Sequence, residues 1–204
     1  MHVVVREYKV KPGQMDRIVQ RIGDEIAPLI QKIPGFIGYT IATPSDAEVT
    51  SISFFQDKNG SEESTRVASE SVKRVLADVV EGAPRVSSGE VIIRAGNPAR
   101  EAHFGIMRRF SMTPEQVRAT VPRVREGLVP ILTGSPGFVA YSAADCGNGT
   151  VISLSAFENR EAAEATSKRA MAWAEEAMRD IPDPEVIRAE LKLRIVNEAA
   201  LPKS

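Results

Sequence analysis

The segment IPGFIGYT at residues 33–40 returns as SPGFVAYS at residues 135–142, and both belong to a longer internal repeat. Sliding the sequence by 102 residues aligns residues 4–93 with 106–195 without a gap, and 19 of those 90 positions are identical. The shared positions include Arg6/Arg108, Pro12/Pro114, Pro28/Pro130, the Pro-Gly-Phe triplet, Tyr39/Tyr141, Ser51/Ser153, Ser53/Ser155, Phe55/Phe157 and Asp78/Asp180. A period this long exceeds any solenoid unit, so each copy is expected to be a small domain in its own right.

Local signals follow the same order in both copies. HVVVREYKV is rich in β-branched residues, and the Pro-Gly of KPGQMDR stops that strand and opens a helix. Ile18, Val19, Ile22, Ile26, Leu29, Ile30 and Ile33 then recur at helical spacing, as do Val117, Val121, Val124, Leu128, Ile131 and Leu132. Pro28 and Pro130 remove a backbone donor near the ends of these helices and are expected to kink them. FIGYTIAT and EVTSISFFQD read as a hairpin across PSDA, matched by FVAYSAA and TVISLSAFE across DCGNG. A second helix and a closing strand, GEVIIRA or LKLRIV, complete each copy. The order is βαββαβ twice, an α+β arrangement of two ferredoxin-like units. Helices cover one face of such a sheet, yet the first strand is apolar on both parities. The expected solution packs the two sheets face to face, as an intrachain pseudo-dimeric α/β barrel with helices outside. The division is then 1–95 for the first repeat, 96–102 for a linker, 103–197 for the second and 198–204 for a C-terminal tail.

Composition excludes several function classes. Lys plus Arg number 26 against 27 Asp plus Glu, so no net field draws nucleic acid or an anionic membrane. Aromatic residues make up only 5%, too few for stacking platforms along a single strand. The N-terminal apolar run is broken at Arg6 and Glu7, which reads as a strand rather than a signal peptide or a membrane span. One cysteine, Cys146, forms no intrachain disulfide, and the expectation is a cytoplasmic protein. With two histidines and that cysteine, little is on hand for a metal centre.

The double βαββαβ pattern, together with VKPGQMDR, IPGFIGYT and FFQDKNGSEEST and their second-copy counterparts SMTPEQVR, SPGFVAYS and AFENREAAEAT, resembles the antibiotic-biosynthesis-monooxygenase family of dimeric α/β-barrel proteins. The resemblance implies that the chain supplies both halves of a barrel that single-repeat relatives build from two subunits. It also implies a pocket between sheet and helices, in a family of cofactor-independent oxygenases, haem-degrading enzymes and proteins of no known activity. The haem-degrading branch resembles a pattern of Asn on the first strand and Trp and His on the second helix. Here Arg6 and Arg108 stand near the Asn position, Ser64 and Thr166 at the Trp, and Arg74 and Glu176 near the His, so haem degradation is not expected. The lone Trp173 lies about two turns too far along and is read as bordering the core.

Arg6 and Arg108 stand out, because a guanidinium on an apolar strand must find an anion, a carbonyl or water. Either could clamp an enolate, phenolate or carboxylate, or else form a salt bridge to Glu7, Glu90 or Glu190. Arg109, opposite Glu7 in the alignment, would make the two pockets electrostatically unlike. Tyr39 and Tyr141 could hold a ligand by their hydroxyls or simply pack, and Ser51, Ser53, Ser153 and Ser155 could line a cavity or fit a crowded sheet. His2 and His103 read as solvated termini, and Cys146 as an exposed turn residue without a base. The ligand-binding candidates are therefore Arg108, Tyr141 and Ser155, with Arg6, Tyr39 and Ser53 as their counterparts, and no catalytic residue is assigned. The leading expectation is a cofactor-independent monooxygenase or related enzyme acting on a small aromatic or polyketide-like molecule. A non-catalytic small-molecule-binding or stress-response protein is the alternative. Neither reading calls for a metal, an organic cofactor, nucleic acid or a membrane, and the fused pseudo-dimer can associate further.

Overall fold

The computed structural model describes residues 1–201, so part of the expected tail, 202–204, lies outside the described residues. The elements of the first repeat are β1 (His2–Val10), α1 (Met15–Arg21), α2 (Ala27–Gln31), β2 (Phe36–Ser45), β3 (Glu48–Phe55), α3 (Lys58–Val75) and β4 (Val80–Gly96). Those of the second are β5 (Phe104–Ser111), α4 (Pro114–Arg123), α5 (Val129–Thr133), β6 (Phe138–Asp145), β7 (Thr150–Phe157), α6 (Arg160–Ala177) and β8 (Glu185–Val196). This is the expected α+β class with βαββαβ order in each half.

The fourth strands are longer than the sequence suggests, and they give the fold its particular connectivity. One compact unit comprises Met1–Glu90 with Glu190–Ser204, and the other comprises Val91–Ala189. Strand order is β4–β1–β3–β2–β8 in the first unit and β8–β5–β7–β6–β4 in the second. The described pairings are antiparallel; Arg6 lies opposite Ser51 and Arg108 opposite Ser153. Residues of both parities on β1, Val3, Val4 and Val5, are fully buried.

Several repeated residues now have a physical role. Gly35 and Gly137 of the Pro-Gly-Phe triplets adopt φ of 77° and 72°, a left-handed conformation open to glycine at little cost. That turn presents the glycine carbonyl to the backbone N–H of Gln56 or Glu158, each at 2.8 Å. The next residue, Phe36 or Phe138, meets Phe55 or Phe157 edge to face with ring centroids 6.0 Å apart. Asp57 and Asn159 cap the second helices, accepting from Gly60 N at 3.0 Å and Ala162 N at 2.9 Å. The prolines act through a change of helix type. A π-helical turn, Ile22–Ile26 or Val124–Leu128, ends just before each one, with Ala27 N–H reaching Ile22 O and Val129 N–H reaching Val124 O. A proline offers no N–H to the preceding turn, and the ladder re-registers by one residue around that gap.

The first unit buries Ile18, Ile22, Ile26 and Ile30 of its bent helix against Ile41 and Val49 of the sheet. The second unit uses the same architecture with different volumes. Ile18, Ile22 and Ile41 are replaced by Thr120, Val124 and Ala143, and Val72 by Ala174. The swap at Ile41 alone removes three carbons from the sheet wall.

Candidate functional site

Those truncations leave a cavity of about 620 Å³ inside the second unit, between the sheet and helices α4 and α6. Its volume lies within the range of small-molecule sites. The sheet wall carries Arg108, Tyr141, Ser153 and Ser155; the helix wall carries Thr120, Thr166, Ser167 and Trp173. Met171 and Val186, two of the large apolar side chains most exposed in the chain at 55% and 38%, border the same space, which places an apolar rim at its opening.

All three second-repeat candidates, Arg108, Tyr141 and Ser155, thus face one cavity. Tyr141 is buried, and its hydroxyl is pushed up to about 12 by burial, against the pull of Arg108 and, more weakly, of Ser153. It stays neutral and can donate. Arg108 is half-buried, and among the described residues its guanidinium has no hydrogen-bond or ion-pair partner. Burial holds its pKa below the ordinary arginine value; Tyr141 raises it in part and the Arg188 charge lowers it again. It remains a cation.

Arg6, Tyr39 and Ser53 are also brought together, but in a closed core. The Arg6 side chain is 1% exposed, and it donates to Ser64 Oγ at 2.8 Å, Thr65 Oγ1 at 2.9 Å and Ser53 Oγ at 3.4 Å. The expected salt bridge to Glu7, Glu90 or Glu190 is replaced by hydroxyls, because the side chain reaches across to α3 instead of along the sheet. Tyr39 is buried as well, and burial raises its pKa against the pull of Arg6. The first unit offers instead a shallow groove of about 560 Å³ between α2 and α3, along Leu29, Val67, Ser71 and Arg74, which Arg6 does not line.

The counterparts of Ser64 and Thr65 are Thr166 and Ser167, and they do not hold Arg108. Ser167 Oγ has no hydrogen-bond partner among the described residues, and neither does Thr120 Oγ1, although both residues are more than nine-tenths buried. Arg109 does not make the pockets unlike as expected. Neighbouring residues on a strand face opposite ways, and Arg109 points away from the cavity to Glu185, 2.7 Å away. His2 is partly buried, with Ser88 Oγ 3.4 Å from its Nδ1, while His103 is exposed. Cys146 is partly buried, and its thiol is pushed up to about 11 by burial and by Asp145.

Trp173 both packs against the second core and walls the cavity. Its place is made by Gly127 in the π-helical turn, where any Cβ would collide with the indole. The aligned residues in the first repeat are Ser71 and Glu25, so the pair changed together. Sequence reading missed Thr120, Ser167 and Arg188. The usable signal was the set of aligned positions at which an aliphatic side chain gives way to a smaller or more polar one.

Residues 1–73 match the antibiotic biosynthesis monooxygenase family. A candidate monooxygenase from Fusobacterium nucleatum subsp. nucleatum shares the fold with a TM-score of 0.77 at 14% identity, over 97% of this chain and 94% of that one. A candidate monooxygenase from Lactobacillus acidophilus gives a TM-score of 0.73 at 11% identity, over 96% and 97%. An anthrone oxidase-like protein gives 0.61 at 18% identity, over 100% and 96%. No curated protein matches the sequence. At these identities the likeness is one of fold.

Proposed function

Starting from an antibiotic-biosynthesis-monooxygenase-like chain duplicated in tandem, we propose that its second unit binds a small aromatic, polyketide-like molecule and promotes its oxygenation by dioxygen without metal or organic cofactor. The observation that carries this reading is the Arg108 guanidinium, facing an apolar cavity with no hydrogen-bond or ion-pair partner among the described residues. A cation held in that setting stabilises charge that develops on a substrate oxygen, since the interaction strengthens as water is excluded.

The chemistry balances without a further redox partner. An activated ring CH₂ conjugated with a carbonyl gives up a proton to a water molecule, and the enolate oxygen settles on Arg108. The carbanion passes electrons to O₂ and forms a C–O bond; the peroxide anion takes a proton back from water, and the hydroperoxide then loses water to leave a new carbonyl. One oxygen atom ends in the product and one in water, and the substrate is the reductant. Tyr141 and Ser155 orient the ring by hydrogen bonding, and the apolar wall keeps bulk water from the carbanion. We place this activity in the cytoplasm, on the lone Cys146. Among the described residues, no helix is long and apolar enough to cross a membrane.

A non-catalytic binding role is the second reading, and one observation favours it: none of the buried side chains lining the cavity is Asp, Glu or His, so a strong general base is lacking there among the described residues. An oxygen electrode separates the two. With an anthrone as substrate, the wild type should consume one O₂ per quinone formed, and Arg108→Ala should slow that by about a hundredfold. Oxygen uptake no faster than in buffer, from an anthrone that still binds, would remove the oxygenase reading and leave the binding one.

A further inference from the structure

We infer that the cavity of the second unit selects an aromatic carboxylate with a further ring oxygen: the carboxylate lies between Arg108 and Arg188, and the other oxygen meets Thr120 and Ser167. This rests on the reading that the cavity is the ligand site, and it names the ligand's charge and pattern of oxygens. Of the three arginines that line this space, Arg179 donates to the Glu176 carbonyl at 3.1 Å, and two remain: Arg108, half-buried on β5, and Arg188, exposed on the neighbouring β8. Neither has a hydrogen-bond or ion-pair partner among the described residues, and each adds to the positive potential at the other. The acidic residues on the cavity wall, Glu175 and Asp183, are exposed at its rim and pair with neither. A neutral ring meets Arg108 through one oxygen and leaves the charge of Arg188 uncompensated. A carboxylate offers two oxygens, four lone-pair sites and the compensating charge.

The repeat supplies an internal contrast. Arg188 aligns with Val86, so the first unit has no second cation at this place, and its Arg6 is already satisfied by hydroxyls. The second unit has gained a charge where the first is apolar. It has also left two hydroxyls, Thr120 Oγ1 on α4 and Ser167 Oγ on α6, buried without hydrogen-bond partners among the described residues, and both residues line the cavity. Buried hydroxyls without partners are costly, and a ligand oxygen that meets them recovers that cost on binding. Cations on the sheet wall and hydroxyls on the helix wall therefore read the two sides of one flat molecule.

Calorimetric titration with 3-hydroxy-2-naphthoate, its methyl ester and 2-naphthoate tests this. The acid should bind at least about tenfold more tightly than the ester. Arg188→Met, at an exposed position, should cut the acid's advantage over the ester by at least about threefold, to what Arg108 alone supplies, and leave the ester unchanged. Thr120→Val with Ser167→Ala should erase the preference for the hydroxylated acid over 2-naphthoate. Ala143→Ile, which restores the first unit's side chain, should abolish binding of all three probes. Equal binding of acid and ester, or an advantage of the acid that Arg188→Met leaves undiminished, overturns the carboxylate inference while leaving the cavity as the site. Failure of every probe, or binding that survives Ala143→Ile, overturns the cavity reading and this inference with it.

Discussion

Replacing Arg6 and Arg108 in turn separates a structural arginine from an available one. Arg6 is enclosed, and its acceptors Ser64 and Thr65 also bond to Ser61 O at 2.7 and 3.2 Å. Removing the guanidinium therefore leaves those hydroxyls satisfied. Arg6→Met, close in volume and free of the cost of burying a charge, should stay within about 1 kcal/mol of wild type or gain stability. Arg6→Ala should lose about 2–5 kcal/mol to the hole it leaves. Arg108→Ala should change stability by less than about 1 kcal/mol while removing ligand affinity. Urea unfolding of the three variants checks the pattern, and a large stability loss in Arg108→Ala would show that it too is structural. Tyr141 adds a pH dependence. Its folded pKa, about 12 against an ordinary 10.0, lies above the unfolded value, so the native state holds a proton that the unfolded chain gives up. The stabilisation is complete below pH 10 and is lost as pH rises toward 12. Tyr141→Phe should flatten this alkaline limb, read as urea midpoints against pH; an unchanged slope would contradict the burial of that hydroxyl.

At the scale of elements, the π-helical turn and α6 are coupled through Gly127 and Trp173. A glycine to alanine change inside a helix normally stabilises by about 0.5–1 kcal/mol. Here the added Cβ meets the indole, and Gly127→Ala should instead destabilise by about 1–3 kcal/mol. In a Trp173→Ser background, which carries the first repeat's residue, the same change should regain its usual sign. A double-mutant cycle measures this coupling, and additive effects would refute it. The elements themselves were legible because their signals are local: strand alternation, helical spacing and the Pro-Gly-Phe turn whose glycine needs a positive φ. The π-helical turns were not, since a proline announces a disturbed ladder without saying how the ladder recovers. Nor was the extent of β4 and β8, whose pairing beyond their own repeat depends on residues far away in sequence.

For the whole molecule, the duplication fixes one fold twice, while packing decides what each copy can do. Arg108, Tyr141 and Ser155 could be picked out because polar groups recur on an apolar strand. The cavity could not, because space is set by differences in volume, as between Ile41 and Ala143 or Ile18 and Thr120, and not by any motif. Arg188 escaped notice for a related reason: its nearness to Arg108 comes from β8 lying beside β5. The central claim is that one copy became a filled scaffold and the other kept an open, cationic site. Its most direct test is the stoichiometry of 3-hydroxy-2-naphthoate binding by calorimetry, in wild type, Arg6→Met and Arg108→Ala. One molecule per chain, retained in Arg6→Met and lost in Arg108→Ala, is the expected result. Two molecules per chain, or binding that falls with Arg6→Met and persists in Arg108→Ala, would contradict it.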